Sequence, residues 1–167
     1  LGTDSARFNS GIFGFQLHAA SQGGDASGQL LSYGAGPDAR RTLEKVNATQ
    51  RFFMERTRLK IPMLPFDEAL HGLVRSGATA FPQSIAMAAS FDTTLMAQVS
   101  AAIAIETKAR GIRMVLSPVV NLATDVRWGR VEETYGEDPY LASLMGATYV
   151  KAFESRGIIT TPKHFAV

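Results

Sequence analysis

Cysteine is absent from all 167 residues, which excludes disulfides, thiolate metal sites and a cysteine nucleophile. Long apolar runs are missing as well; none approaches the roughly 20 residues a helix needs to cross a bilayer. Nor is there an excess of one charge. Lys+Arg 17 against Asp+Glu 15 leaves +2, spread along the chain, so neither a nucleic-acid stripe nor a polybasic membrane face finds support. The three histidines, His18, His71 and His164, lack metal-ligand spacing, and neither a metal nor a cofactor is expected. Gly23, Gly24, Gly28, Gly34 and Gly36 mark one loop, but no Lys-Ser/Thr pair follows and no helix opens directly from it, so it is not a phosphate loop. Leu1 opens the chain without an initiator Met or signal peptide, and ITTPKHFAV stops on an apolar run. Both ends read as cut, and a fragment is expected.

What is present suits a globular α/β protein: 46% hydrophobic and 19% charged residues, with short apolar runs alternating with helical patterns. The runs are Ile12–Leu17, Ile61–Phe66, Ser84–Ala89, Ile112–Val119 and Gly157–Thr161. Strands are predicted near Ile12–Leu17, Ile61–Pro65, Ile85–Ala89, Arg113–Ser117 and Ile158–Thr161, parallel and covered on both faces. Helices are predicted at about Asp38–Arg58, Thr93–Arg110 and Pro139–Arg156. Asp92 and Asp138 serve as caps, Pro139 as first helical residue, and Gly111 and Gly157 as stops. The inward faces read as Leu43, Val46, Gln50, Phe53 and Met54; then Leu95, Val99, Ala102 and Ile103; then Leu141, Leu144, Met145, Thr148, Tyr149 and Ala152. Between Ile61 and Ser84 only loop-like sequence stands, so one crossover helix is missing or very short. About five βα strands fit either the first part of a (β/α)₈ barrel or a doubly wound open sheet.

Ligands of parallel α/β folds meet the carboxyl ends of the strands. After the second run stand Asp67, Glu68 and His71-Gly72. After the fourth stand Asn121, Asp125, Arg127, Trp128 and Arg130. After the last stand Lys163 and His164. Charged groups for vicinal hydroxyls and an indole for a ring face are the chemistry of a sugar site. Each has a plainer reading. Glu132, Glu133, Glu137 and Asp138 read most simply as solvent-facing or helix-start charges, Trp128 as core, and His71 as a turn histidine satisfying a backbone group. The adjacent Lys163 and His164 are harder to dismiss, being costly to bury without partners.

These segments carry a resemblance. RLKIPMLPFDEALHG (58–72), GATAFPQSIAMAASFD (77–92), VLSPVVNLATDVRWGRVEETYGEDPYL (115–141) and TPKHFA (161–166) resemble the N-terminal barrel of family 3 glycoside hydrolases, a group of β-glucosidases and β-xylosidases. The likeness runs from about Arg58 to the end, and the RWGR-x-EETYGEDP run is its most specific part. It implies an incomplete TIM-type (β/α)₈ barrel, about the first five strands, with residues 1–167 forming part of that one domain. It further implies that Glu68, Arg130, Lys163 and His164 bind the hydroxyls of a terminal sugar. The nucleophilic aspartate is expected further along the barrel and the acid/base in a following domain, neither motif being present here. The partners implied are a β-glycoside substrate, the rest of the barrel and that C-terminal domain; a periplasmic or secreted location is suggested.

Where many members have Asp, Arg, Pro and Gly, this chain has Asn121, Thr124, Val126 and Val167. The first two alter the loop that presents Arg130. The function implied is an exo-acting, retaining β-glycosidase of the β-glucosidase class. Alternatives are a β-xylosidase, toward which the longer carboxylate at Glu68 leans, an inactive sugar-binding relic, or an unrelated open α/β binding domain.

Overall fold

Three aspartates start the long helices. Asp38 accepts from the backbone N–H of Arg41 at 2.8 Å, Asp92 from Thr94 and Leu95 at 2.9 Å each, and Asp138 from Leu141 at 2.6 Å, satisfying donors that a first helical turn leaves open. Gly111 and Gly157, at φ +83° and +76°, follow two of these helices in the left-handed conformation glycine adopts without strain. This computed structural model describes residues 38–75 and 77–165 and the backbone of 14–16.

The order is β1 (Gly14–Gln16), α1 (Ala39–Arg56), β2 (Leu64–Asp67), α2 (Ser84–Ala88), α3 (Thr93–Ala109), β3 (Met114–Val115), a 3₁₀ turn (Val131–Glu133), α4 (Pro139–Glu154) and β4 (Ile159–Thr160). Among the described residues the sheet has four strands in the order β1-β2-β3-β4, each pair parallel. The α/β class with a parallel sheet is thus observed. The expected first strand is seen in its middle, and the glycine-marked loop after it lies outside the described residues.

The expected strand at Ile85–Ala89 is instead the helix α2. Its Gln83 carbonyl accepts from Ala86 and Met87 at 2.9 and 3.0 Å, and Ser84, Met87 and Ala88 are buried. Alanine and methionine are strong helix formers, Ile85 alone is β-branched, and a run this short has no period to read. No crossover is therefore missing: α3 joins β2 to β3. The second strand also begins later than expected. Ile61 is 60% exposed, and the backbone of Met63 is held by a side chain, with Gln50 Nε2 donating to its carbonyl at 2.7 Å and its N–H donating to Gln50 Oε1 at 3.1 Å.

One core joins Val46 and Phe53 of α1, Met87 and Ala88 of α2, Met96, Ile103 and Ala104 of α3, Val115 of β3, and Met145, Tyr149 and Phe153 of α4. Each large side chain fully buried there contributes about 1.5–3 kcal/mol. The buried face of α3 sits one residue round from the expected one, with Met96 inside and Leu95 47% exposed. On α4, Met145, Tyr149 and Ala152 are buried as expected, while Leu144 is 39% exposed and Ala142, Gly146 and Phe153 replace it. On α1, Val46 and Phe53 point inward, but Thr42 and Thr49 are buried and Met54 is exposed.

Tyr149 connects this core to the strand exits. Its hydroxyl donates to the Ala69 carbonyl at 2.8 Å and lies 2.7 Å from Ser117 Oγ, which in turn reaches the Glu68 carbonyl at 2.7 Å. Burial pushes the phenol well above its usual pKa, so it stays a donor. Tyr149→Phe removes that donor and leaves the buried Ala69 carbonyl unpaired. The expected loss is about 1–3 kcal/mol of unfolding free energy, read from the denaturation midpoint of the full-length protein; an unchanged midpoint would show the tether to be idle.

Candidate functional site

Glu68 directly follows β2, and its backbone is fixed by Ser117 and Tyr149 as described. Lys163 and His164 follow β4. The exits of β3 and β4 go on pairing beyond the regular strands: Thr161 N–H donates to Val115 and Ser117 carbonyls, Lys163 N–H to Pro118 at 2.9 Å, and Val120 N–H to Lys163 at 2.7 Å. Val119 and Lys163 are parallel partners. This register brings Lys163 Nζ to 2.7 Å from Glu68 Oε2, joining two residues that the chain separates by 95 positions.

A second group adjoins the first. Arg130 precedes the 3₁₀ turn and its guanidinium grips Glu133, Nε donating to Oε1 at 2.8 Å and Nη2 to Oε2 at 2.7 Å. Its Nη1 lies 3.1 Å from His164 Nε2. Asn121 Oδ1 accepts from the backbone N–H of His164 at 2.9 Å and faces His164 Nδ1 at 2.8 Å. Oxygen there requires the proton on Nδ1, which leaves Nε2 to accept from Arg130. The imidazole is thus placed as a neutral relay between an amide and a guanidinium. Burial holds its pKa below the ordinary histidine value, and the charges of Arg130 and Lys163 push the same way against Glu133 and Glu68. Arg130 is raised, chiefly by its hydrogen bonds to Glu133.

The four residues singled out from the sequence, Glu68, Arg130, Lys163 and His164, therefore meet at one rim. Two further residues complete the constellation. Glu133 was assigned the bland role of a solvent charge, yet it holds Arg130; its spacing three residues along a single turn was the available signal. Asn121, one of the polar residues after the fourth apolar run and a departure from the family pattern, holds both the backbone and the ring of His164.

Other candidates take plainer roles. Asp67 is buried and pairs with Arg75 at 3.3 Å. His71 Nδ1 meets the Phe81 carbonyl at 2.9 Å, the turn histidine of the simpler reading. Asp138 is the helix cap and Glu137 is exposed. Trp128 is half-buried rather than core. With Asn121, Leu122, Thr124, Asp125 and Arg127 it lines an open cleft of about 620 Å³ that borders the rim through Asn121. Arg127 and Asp125 pair inside it at 2.7 Å, an exposed contact that lowers the Asp125 pKa and raises that of Arg127. Among the described residues no group of His, Asp and Glu side chains is placed to hold a metal ion, and no helix is long and apolar enough to cross a membrane.

Residues 25–167 match the family model described as the glycosyl hydrolase family 3 N-terminal domain. The chain belongs to this family. It is 38% identical over 122 residues to a β-xylosidase of Formosa agariphila, covering 65% of this chain and 17% of the relative. It is 36% identical over 131 residues to a periplasmic β-glucosidase of Salmonella typhimurium, covering 75% and 17%. A solved β-glucosidase of Erythrobacter marinus superposes with a TM-score of 0.79 at 36% identity, over 97% of this chain and 20% of that one. A β-glucosidase of Listeria innocua in complex with isofagomine gives 0.68 at 30% identity, over 74% and 18%. The family 3 chain thus spans about a sixth of the length of the curated relatives it matches.

Protonation of His164 would turn Nε2 from acceptor to donor, facing the N–H of Arg130. Because its folded pKa is depressed, the stability it contributes is complete above the ordinary value of about 6.5 and is lost as pH falls through the lower folded value. Nuclear magnetic resonance of the imidazole nitrogens should show a midpoint below 6.5, with Asn121→Asp moving it upward. A midpoint at or above 6.5 in the unaltered protein would contradict the neutral relay.

Proposed function

We propose that the full-length protein is an exo-acting β-glycosidase that works with retention of anomeric configuration, in the β-glucosidase class. On this reading residues 1–167 are part of a family 3 (β/α)₈ barrel and supply its subsite for the terminal sugar. Glu68, Arg130, Lys163 and His164 bind the hydroxyls, and a β-glycoside is the substrate. The nucleophilic aspartate and the proton donor come from the rest of the barrel and a following C-terminal domain, with their carboxyl groups about 5–5.5 Å apart as retention requires.

One observation carries the reading: the two cations of the rim are each matched by a carboxylate, and the histidine is placed as neutral. A cluster rich in hydrogen-bonding groups yet balanced in formal charge suits an uncharged polyol better than an anion. Lys163 and Arg130 offer N–H groups to hydroxyl oxygens, and Glu68 accepts from a hydroxyl. Such contacts strengthen as the ring distorts toward the oxocarbenium-like state, so they act on kcat as well as on KM.

A β-xylosidase is the second reading. Xylosidases stand among the relatives, that of Formosa agariphila included, and Glu68 is one methylene longer than Asp, filling space a hexose would use for its exocyclic carbon.

The full-length protein should hydrolyse an aryl β-glucoside or β-xyloside with retention, while the 167-residue chain alone should not. Lys163→Ala and Arg130→Ala should each lower kcat/KM by at least about 10²-fold, a charge-assisted hydrogen bond being worth about 1.5–3 kcal/mol before any strengthening in the transition state. Near-normal kinetics in the Lys163 variant would make that lysine structural. Turnover by the short chain would show that the catalytic groups are misplaced.

A further inference from the structure

Arg130 is the most accessible cation of the rim. Its side chain is 41% exposed, against 17% for Glu133. The carboxylate therefore lies on the protein side of the pair and the guanidinium on the side a ligand approaches. A guanidinium has five N–H hydrogens; Nε, Nη2 and Nη1 each commit one, to Glu133 and His164, which leaves two uncommitted among the described residues. The side-on fork through which an arginine grips a carboxylate or phosphate is already taken by Glu133.

The pair is also built to stay in place. Glu133 ends the 3₁₀ turn that Arg130 opens, and its own N–H donates to the Arg130 carbonyl at 3.1 Å. Helix α2 packs against that turn. What reaches outward is two N–H groups on a cation whose charge is cancelled from behind. In the other pair, Lys163 with Glu68 at 2.7 Å, the order is reversed: the lysine is 19% exposed and the carboxylate 40%, so Arg130 is the cation that faces outward.

We propose that Glu133 is a specificity-determining residue of the sugar site: by neutralising Arg130 while leaving its outer N–H groups unengaged, it makes the site accept neutral hydroxyls and refuse phosphorylated or carboxylated sugars. The inference rests on the sugar-site reading and deepens it by naming what the site rejects. Glu133 is a positioning residue in this scheme, acting through Arg130.

The test uses the full-length protein and Glu133→Gln, which keeps the shape and one acceptor for Arg130 but removes the charge. Inorganic phosphate is the probe, titrated calorimetrically alone and in competition with isofagomine. The unaltered protein should show no competition. Glu133→Gln should bind phosphate at least about tenfold more tightly than the parent, about 1.4 kcal/mol, and phosphate should displace isofagomine. The double variant Arg130→Gln/Glu133→Gln should lose that gain. Unchanged phosphate affinity in a folded Glu133→Gln protein would overturn the proposal, as would a gain that survives in the double variant.

Should Glu133→Gln fail to fold, Glu133→Asp decides the matter. It keeps the charge but shortens the reach, so kcat/KM should fall while phosphate remains excluded; phosphate binding, or unaltered kinetics, would overturn the proposal. Phosphate binding is read without turnover. A parent protein inactive on β-glycosides would therefore sink the functional reading while leaving this measurement decisive for the role of Glu133.

Discussion

The rim depends on parallel pairing that outlasts the regular strands. Pro118 has no N–H to give, yet its carbonyl still accepts from Lys163, and Val120 returns a bond to the Lys163 carbonyl. This ladder sets the register in which Lys163 faces Glu68 and His164 faces Asn121. A slip of one residue would turn Lys163 to the other face of the sheet, break its pair with Glu68 and move His164 out of reach of Arg130. The tether from Tyr149 and Ser117 to the Glu68–Ala69 backbone fixes the opposing side. Core packing on α4 is thereby connected to the placement of a rim carboxylate.

Electrostatics at the rim follow from partial burial. Taking a charge part-way out of water is costly unless a partner stands close with good geometry. The bidentate Arg130–Glu133 contact and the Lys163–Glu68 contact supply such partners, whereas the exposed Arg127–Asp125 pair sits in water and contributes little. Neutral His164 links one ion pair to the amide of Asn121. A carboxylate at position 121 would instead favour the imidazolium, and the link to Arg130 would become a repulsion.

Helices were the most legible part of the sequence, because aspartate caps, Pro139 and the stop glycines act locally. The faces of α3 and α4 were harder to read. Both are apolar on more than one side, so periodicity alone does not separate Leu95 from Met96 or Leu144 from Met145; packing between the two helices does. Ser84–Ala89 misled because a short apolar run carries no period. Of the rim, the four residues tied to specific motifs were legible, through position at strand ends and through family likeness. Glu133 and Asn121 were not, since their roles arise from side-chain geometry across a turn and across two strand exits. The three-residue spacing from Arg130 to Glu133 is a signal only once a turn is known to form there; Glu132, next to it, raises the Arg130 pKa only through its charge.

The Lys163–Glu68 contact has a kinetic side. On the proposed sugar-site reading, a lysine and a carboxylate already 2.7 Å apart have offset each other's charge before a sugar arrives. An incoming hydroxyl would then meet the remaining N–H groups of an already paired ammonium, and resting affinity for a free monosaccharide would be held down. A glycosidase benefits from that restraint: the sugar it liberates is the species it must let go, and a subsite that is content when empty has less hold on its own product.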